Sequence, residues 1–259
     1  MNRTTRNILI TLICFLVYYI ASENFGVILQ NIDVLFHFRL FSYFITYILI
    51  GIPIFIGTYL INNNYDIFNN LGLSKNILRG LILAIIFTLP MFIGGLVFYK
   101  FNTDISISKL IAGTIFAGFF EELYFRGFLF GQIFRNTKLG FFPSIIIGAL
   151  VFASAHLYQS QNISTMTGIF ITTFSGAIFF AWLFVEWDYN LWVVVFLHTL
   201  MNLSWIIFNI SDNALGNINS NIFRGLTIAV AIILTIFYKK KQGQTLSINR
   251  NTLLMKKLT

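Results

Sequence analysis

A single cysteine, Cys14, excludes an internal disulfide and leaves no cysteine cluster for a metal. It sits in the first apolar run, where a small packing role is expected and no redox role is implied. Charge is equally scarce, at 10% of residues, whereas 57% are hydrophobic and 31 are phenylalanine. With a mean hydropathy of +0.80, that balance excludes a water-soluble domain and indicates a polytopic membrane protein. Internal repeats and low-complexity tracts are also missing. The N-terminus places Arg3 and Arg6 ahead of an apolar run, as a signal peptide would. No small-residue cleavage site follows, and Tyr18, Tyr19 and Glu23 break the pattern, so a retained first span is expected.

Apolar windows long enough to cross a bilayer recur between short polar breaks. They predict an all-α, polytopic membrane helical bundle of about eight transmembrane helices, near residues 7–29, 38–61, 77–99, 107–134, 142–159, 164–186, 190–210 and 222–238. The first span is interrupted at Ala21 to Asn24. Pro143 suits a first helical turn, and Pro53 and Pro90 fall inside spans, where neighbouring helices tolerate a kink. The whole chain, residues 1–259, reads as one membrane domain.

An even number of spans puts both ends of the chain on one side, and the basic residues say which. With cytoplasmic termini the inner segments hold Arg3, Arg6, Lys75, Arg79, Arg135, Lys138, Lys239, Lys240, Lys241, Arg250, Lys256 and Lys257, and the outer ones Arg39, Lys100, Lys109 and Arg224. That asymmetry predicts a cell-membrane protein with both termini in the cytoplasm. The net charge of +8 then describes a rim against anionic lipid, and nucleic-acid binding is not expected from the Lys239 to Lys241 run. Trp187 and Trp192 suit an interfacial belt.

Against this background a few polar residues stand out. Glu121, Glu122 and Arg126 lie in a stretch, Ser106 to Phe134, that is otherwise apolar enough to cross the membrane. Each charge near a helix centre costs about 2.5 to 3.5 kcal/mol on insertion scales, so partners and a task are expected. Glu122 and Arg126, four apart, suit an ion pair; Glu121 lies about 100° round the helix and is the candidate for chemistry. His156 follows Phe152 by four residues, and His198 precedes Asn202 by four on a shared helix face. Any one of these histidines alone is best read as a hydrogen-bonded core residue. Together with Glu121, a shared wet cavity is the better reading.

Glu121-Glu122-x-x-x-Arg126, Phe152-x-x-x-His156 and His198-x-x-x-Asn202, in that order on separate helices, resemble the CPBP family of intramembrane proteases, also called the Abi or CAAX-protease family. Phe125-Arg126-Gly127 adds to the likeness. The resemblance implies an endopeptidase with a catalytic helix core at residues 107–210. In it Glu121 is the general base that activates water, His156 helps to hold that water, and His198 and Asn202 steady the oxyanion. Glu122 and Arg126 are expected to brace the helix. A carboxylate in a low-dielectric cavity and donors preset on one helix face suit those roles.

Glu121, His156 and His198 are also a set that zinc would accept, with Asn202 or water beside them, although the chain has no His-Glu-x-x-His signature. Other protease chemistries fare worse. Thr173 to Gly176 lacks the first glycine of a Gly-x-Ser-Gly motif, and the five aspartates all fall in predicted loops. A non-proteolytic immunity or scaffold protein and a proton-coupled transporter are the other classes; the absence of repeats argues against the transporter. The expected partners are the lipid bilayer and a peptide or membrane-protein substrate. Heavy use of Ile, Asn and Phe suggests an AT-rich bacterial source, which favours bacteriocin or signalling-peptide precursors over a prenylated CAAX end. The site is expected well below the surface, reached by water from the cytoplasmic side.

Overall fold

The computed structural model describes residues 1–256; Lys257, counted in the basic rim, lies outside them. The asparagines that punctuate the apolar runs are helix starts. Asn2, Asn76, Asn162, Asn190 and Asn217 each accept a backbone N–H from the first turn that follows, as do Asp66 and Ser106. From these caps run α1 (Arg3–Ser22), α5 (Ile77–Phe98), α10 (Ile163–Glu186), α11 (Leu191–Ile207) and α12 (Ile218–Lys241), the last with a full capping box. The others are α2 (Phe25–Phe36), α3 (Arg39–Asn62), the one-turn α4 (Ile67–Asn70) and α9 (Phe141–Ser154).

A further rod, residues 107–136, strings together α6 (Ile107–Ile111), α7 (Ala117–Glu121) and α8 (Gly131–Asn136). Wide π turns at Ala112–Phe116 and Glu122–Phe130 join them. The first expected span is corrected: residues 7–29 are two helices, broken at Glu23–Asn24, so α1 starts earlier and α2 is a short separate piece. Asp33, expected in a loop, belongs to α2 and pairs with Arg39 at 3.0 Å.

Six helical segments are long and apolar enough to cross a membrane, and α11 and the 107–136 rod complete eight crossings. Their outer faces are apolar: Leu96 and Val97 on α5 are 73% and 67% exposed, which only a lipid surround makes tolerable. Inner faces bring together phenylalanines such as Phe87, Phe128, Phe130 and Phe184. Hydroxyls of Thr11, Thr46, Thr58, Thr88 and Thr173 donate to the carbonyl four residues back, so none strands a donor in the core.

Both ends of the described residues lie on one face. Arg6 donates to the Leu60 carbonyl at the end of α3, and the C-terminal tail returns to the start of α9, where Gly140 and Phe141 N–H groups donate to Leu254 and Thr252. Glu186 fastens that tail. Its buried carboxylate accepts the N–H groups of Ser247 and Ile248 at 3.0 and 2.8 Å and pairs with Lys239 at 2.8 Å. Lys239, assigned to the rim, is therefore turned inward and buried. Trp187, assigned to an interfacial belt, is also buried and donates to Thr235, because α12 closes over it.

Replacing Glu186 with alanine removes the partner of a buried ammonium, which costs about 3 to 5 kcal/mol when a buried pair is broken. The expected result is a released tail, read as faster trypsin cleavage after Arg250 in Glu186→Ala than in the parent chain. Equal cleavage rates would show that the tail is held by something else.

Candidate active site

The motif residues meet at mid-depth, where α7, α9 and α11 converge. Glu122 is fully buried and is the hub. One of its oxygens, Oε1, lies 3.1 Å from Nη1 of Arg126 and 2.7 Å from Nδ1 of His198. The expected ion pair is present, but Glu122 does more than brace a helix. Because a carboxylate only accepts, His198 presents its Nδ1 proton to Glu122, which fixes the imidazole and turns Nε2 to the cavity. Nε2 lies 3.9 Å from Oε2 of Glu121, a separation that one small group can bridge.

Glu121 and Glu122 diverge as expected. The Glu121 side chain is 28% exposed and that of Glu122 is 0%. The second motif is tied to the first through Arg126, whose guanidinium lies between the Phe152 and Phe180 rings, at 4.6 and 5.4 Å from their centroids. His156 is not inside a helix, as its predicted span 142–159 had it. Helix α9 ends at Ser154, and His156 sits in the turn that follows, with Nδ1 donating to the Phe152 carbonyl at 2.7 Å. The i, i+4 spacing is thus used for a terminal cap, and Nε2 is left to accept. Asn202 spends one amide hydrogen on the Gly113 carbonyl at 3.0 Å, inside the first π turn, and keeps the other.

Two backbone devices set these distances. Gly118 lets α7 touch α11, since a Cβ there would run into Thr199, 2.9 Å from its backbone nitrogen, one residue from His198. Helix α11 is recessed as well: Leu191 is buried, its N–H donates to Gly72, and the indole of Trp192 donates to Leu73. Gly72 adopts a φ of +83°, and a Cβ there would collide with the Tyr189 carbonyl. From sequence His198 stands only about 10 Å from the start of its helix, whereas Glu121 and His156 stand about 20 Å from theirs. The recessed start brings the three to one level.

Glu121, His156, His198 and Asn202 all line one cavity of about 580 Å³, within the range of small-ligand sites. Its wall continues through Tyr158, Gln159 and the Ser211–Ala214 loop to Arg224. Arg224 donates to the Ala214 and Leu215 carbonyls and stacks on Trp205, fixing that loop, which in turn donates from Ala214 to Gln159. None of these mouth residues was legible as a site residue; loop polarity was the only signal. These loops join α9 to α10 and α11 to α12 on the face opposite both chain ends, so water reaches Glu121 from that face.

Among the described residues, no three His, Cys, Asp or Glu side chains converge closely enough to hold a metal ion. Glu121 and His198 approach each other, and the Nδ1 atoms of His198 and His156 are held by Glu122 and the Phe152 carbonyl, which leaves both Nε2 atoms unengaged.

Fold and cavity together define a multi-pass membrane protein with a carboxylate–histidine site sunk between its helices. Residues 103–204, which carry all three motifs, match the family model described as Type II CAAX prenyl endopeptidase Rce1-like. The match supports a protease. No curated protein matches the chain.

Arg126→Ala leaves Glu122 buried beside a lone imidazole and is expected to cost about 3 to 5 kcal/mol. Arg126→Lys keeps the charge but loses the planar stack on Phe152 and Phe180, so it should fall between alanine and the parent. The monodisperse fraction after detergent extraction, measured by size-exclusion chromatography, ranks the three. Indistinguishable profiles would show that the guanidinium does not hold the motifs together.

Proposed function

We propose that the chain is an intramembrane endopeptidase in which Glu121 activates a water molecule for attack on a peptide carbonyl. The observation that carries this reading is the division of labour between adjacent carboxylates: Glu122 is fully buried and held by Arg126 and His198, whereas the Glu121 side chain is partly exposed and lines the cavity. Glu121 takes a proton from water as the oxygen adds to the carbonyl, and later returns it to the amine as the C–N bond breaks. His156 holds the water through Nε2.

His198, protonated on both nitrogens beside Glu122, donates from Nε2 to the oxyanion, and Asn202 adds its second amide hydrogen. These donors are set before the substrate arrives, because each has its other end tied to buried protein. The three motifs and their connecting helices, residues 107–210, form the catalytic core. The substrate is a peptide or membrane-associated protein, of the bacteriocin or signalling-peptide precursor type or with a CAAX-like end.

In proteoliposomes tested on quenched-fluorescent peptides, including a farnesylated CAAX peptide and a leader-bearing precursor, hydrolysis by the parent chain is expected. Glu121→Gln, His156→Ala and His198→Ala should each insert normally, and loss of one acid–base group should lower the rate about 10²- to 10⁴-fold. EDTA should leave the parent rate unchanged. Parent-like hydrolysis by Glu121→Gln would remove the mechanism; loss with EDTA and recovery with zinc would replace it with a metal-bound nucleophile. Equal capture of a peptide by parent and Glu121→Gln, with no cleavage by either, would favour a binding protein.

A further inference from the structure

Two expectations drawn from sequence, cytoplasmic termini and a cytoplasmic entrance, are incompatible in this structure. The ends of the chain share a face, where the Gly140 N–H meets the Leu254 carbonyl and where Asn2 and Arg3 stand beside Arg135 and Lys138. The cavity containing Glu121 reaches the opposite face, between Tyr158 and the Ser211–Ala214 loop. None of its lining comes from the connections at residues 63–76, 137–140 or 187–190, on the terminal side. One of the two expectations has to give.

The charges decide which. Of the twelve basic residues assigned to the inner side, the eleven described ones all fall on the face of the chain ends or within a turn of it. On the cavity face stand four, and two of these are neutralised or held internally: Arg39 pairs with Asp33, and Arg224 donates to two carbonyls. Every connection between spans is short, which is the regime in which lysine and arginine set orientation. Carrying the cavity face outward moves four basic residues across the membrane, and the reverse orientation moves eleven.

We propose that the cavity opens on the extracytoplasmic side, so that the peptide bond it receives belongs to a secreted peptide or to an outward-facing stretch of a membrane protein. This rests on the hydrolase reading for what happens to the bond, and on the fold and charge distribution for where it happens. A cytoplasmic prenylated C-terminus would face the wrong side of the bilayer. Of the substrates named above, it is the extracytoplasmic peptide that has a direct path to Glu121.

Tyr158 at the mouth is 80% exposed, and Lys138 on the opposite face is also exposed. In a Cys14→Ser chain, Tyr158→Cys and Lys138→Cys are treated in intact cells with a membrane-impermeant maleimide, and again after permeabilisation. Tyr158→Cys is expected to label in intact cells and Lys138→Cys only after permeabilisation. Protection of Tyr158→Cys until permeabilisation, or labelling of Lys138→Cys in intact cells, overturns the proposal. Labelling needs no catalysis, so the same pattern is expected with Glu121→Gln added. An outward mouth without hydrolysis removes the protease reading alone, and hydrolysis with an inward mouth removes this one alone.

Discussion

The shared carboxylate oxygen of Glu122 is the point on which the rest of the site depends. A lone buried carboxylate would be intolerable in this core, and so would a lone guanidinium. Each is present because the other is, and the imidazole of His198 completes the chain from α11. Arg126 in turn gives the Phe152 and Phe180 rings a cation to pack against, which fixes the end of α9 and a face of α10. Four elements of the bundle are therefore registered by one ion pair, and the separation of Glu121 from His198 follows from that register.

The division between Glu121 and Glu122 shows how neighbouring residues of the same type acquire different work. One carboxylate spends its charge on structure at the cost of reactivity. The other is partly exposed on the wall of a cavity, and only the turn of the helix separates them. The wide π turn that begins at Glu122 adds a residue to the circuit at the place where the two side chains must part, as is common where a helix carries a functional group.

Depth is treated in the same economical way. A helix crossing the full membrane from a surface start would put His198 too near one side, yet α11 begins beneath a lid made by residues 70–76. On the other side α9 stops short, and its last carbonyls are capped by a histidine that also faces the cavity. The result is a wet chamber near mid-membrane, closed below by packed phenylalanines and open above through loops. Its direction of opening, set against the basic rim, determines which side of the membrane supplies the substrate.

Much of this was legible in the chain itself. Hydropathy and the polar breaks placed the long rods, apart from the first expected span, which is two helices, because a bilayer penalises every unpaired backbone group and every stray charge. For the same reason the few intramembrane charges singled out the candidate site, and the i, i+4 spacing of Glu122 with Arg126 was a contact as expected. What sequence could not supply was anything that depends on how separate helices sit together. The link from Glu122 to His198, the inward turn of Lys239 and Trp187, the recessed start of α11 and the side on which the cavity opens join residues far apart in the chain. Spacing along one helix carries information about its own faces only; the level at which helices pack is decided by glycines such as Gly118 and Gly72, whose partners no single segment reveals.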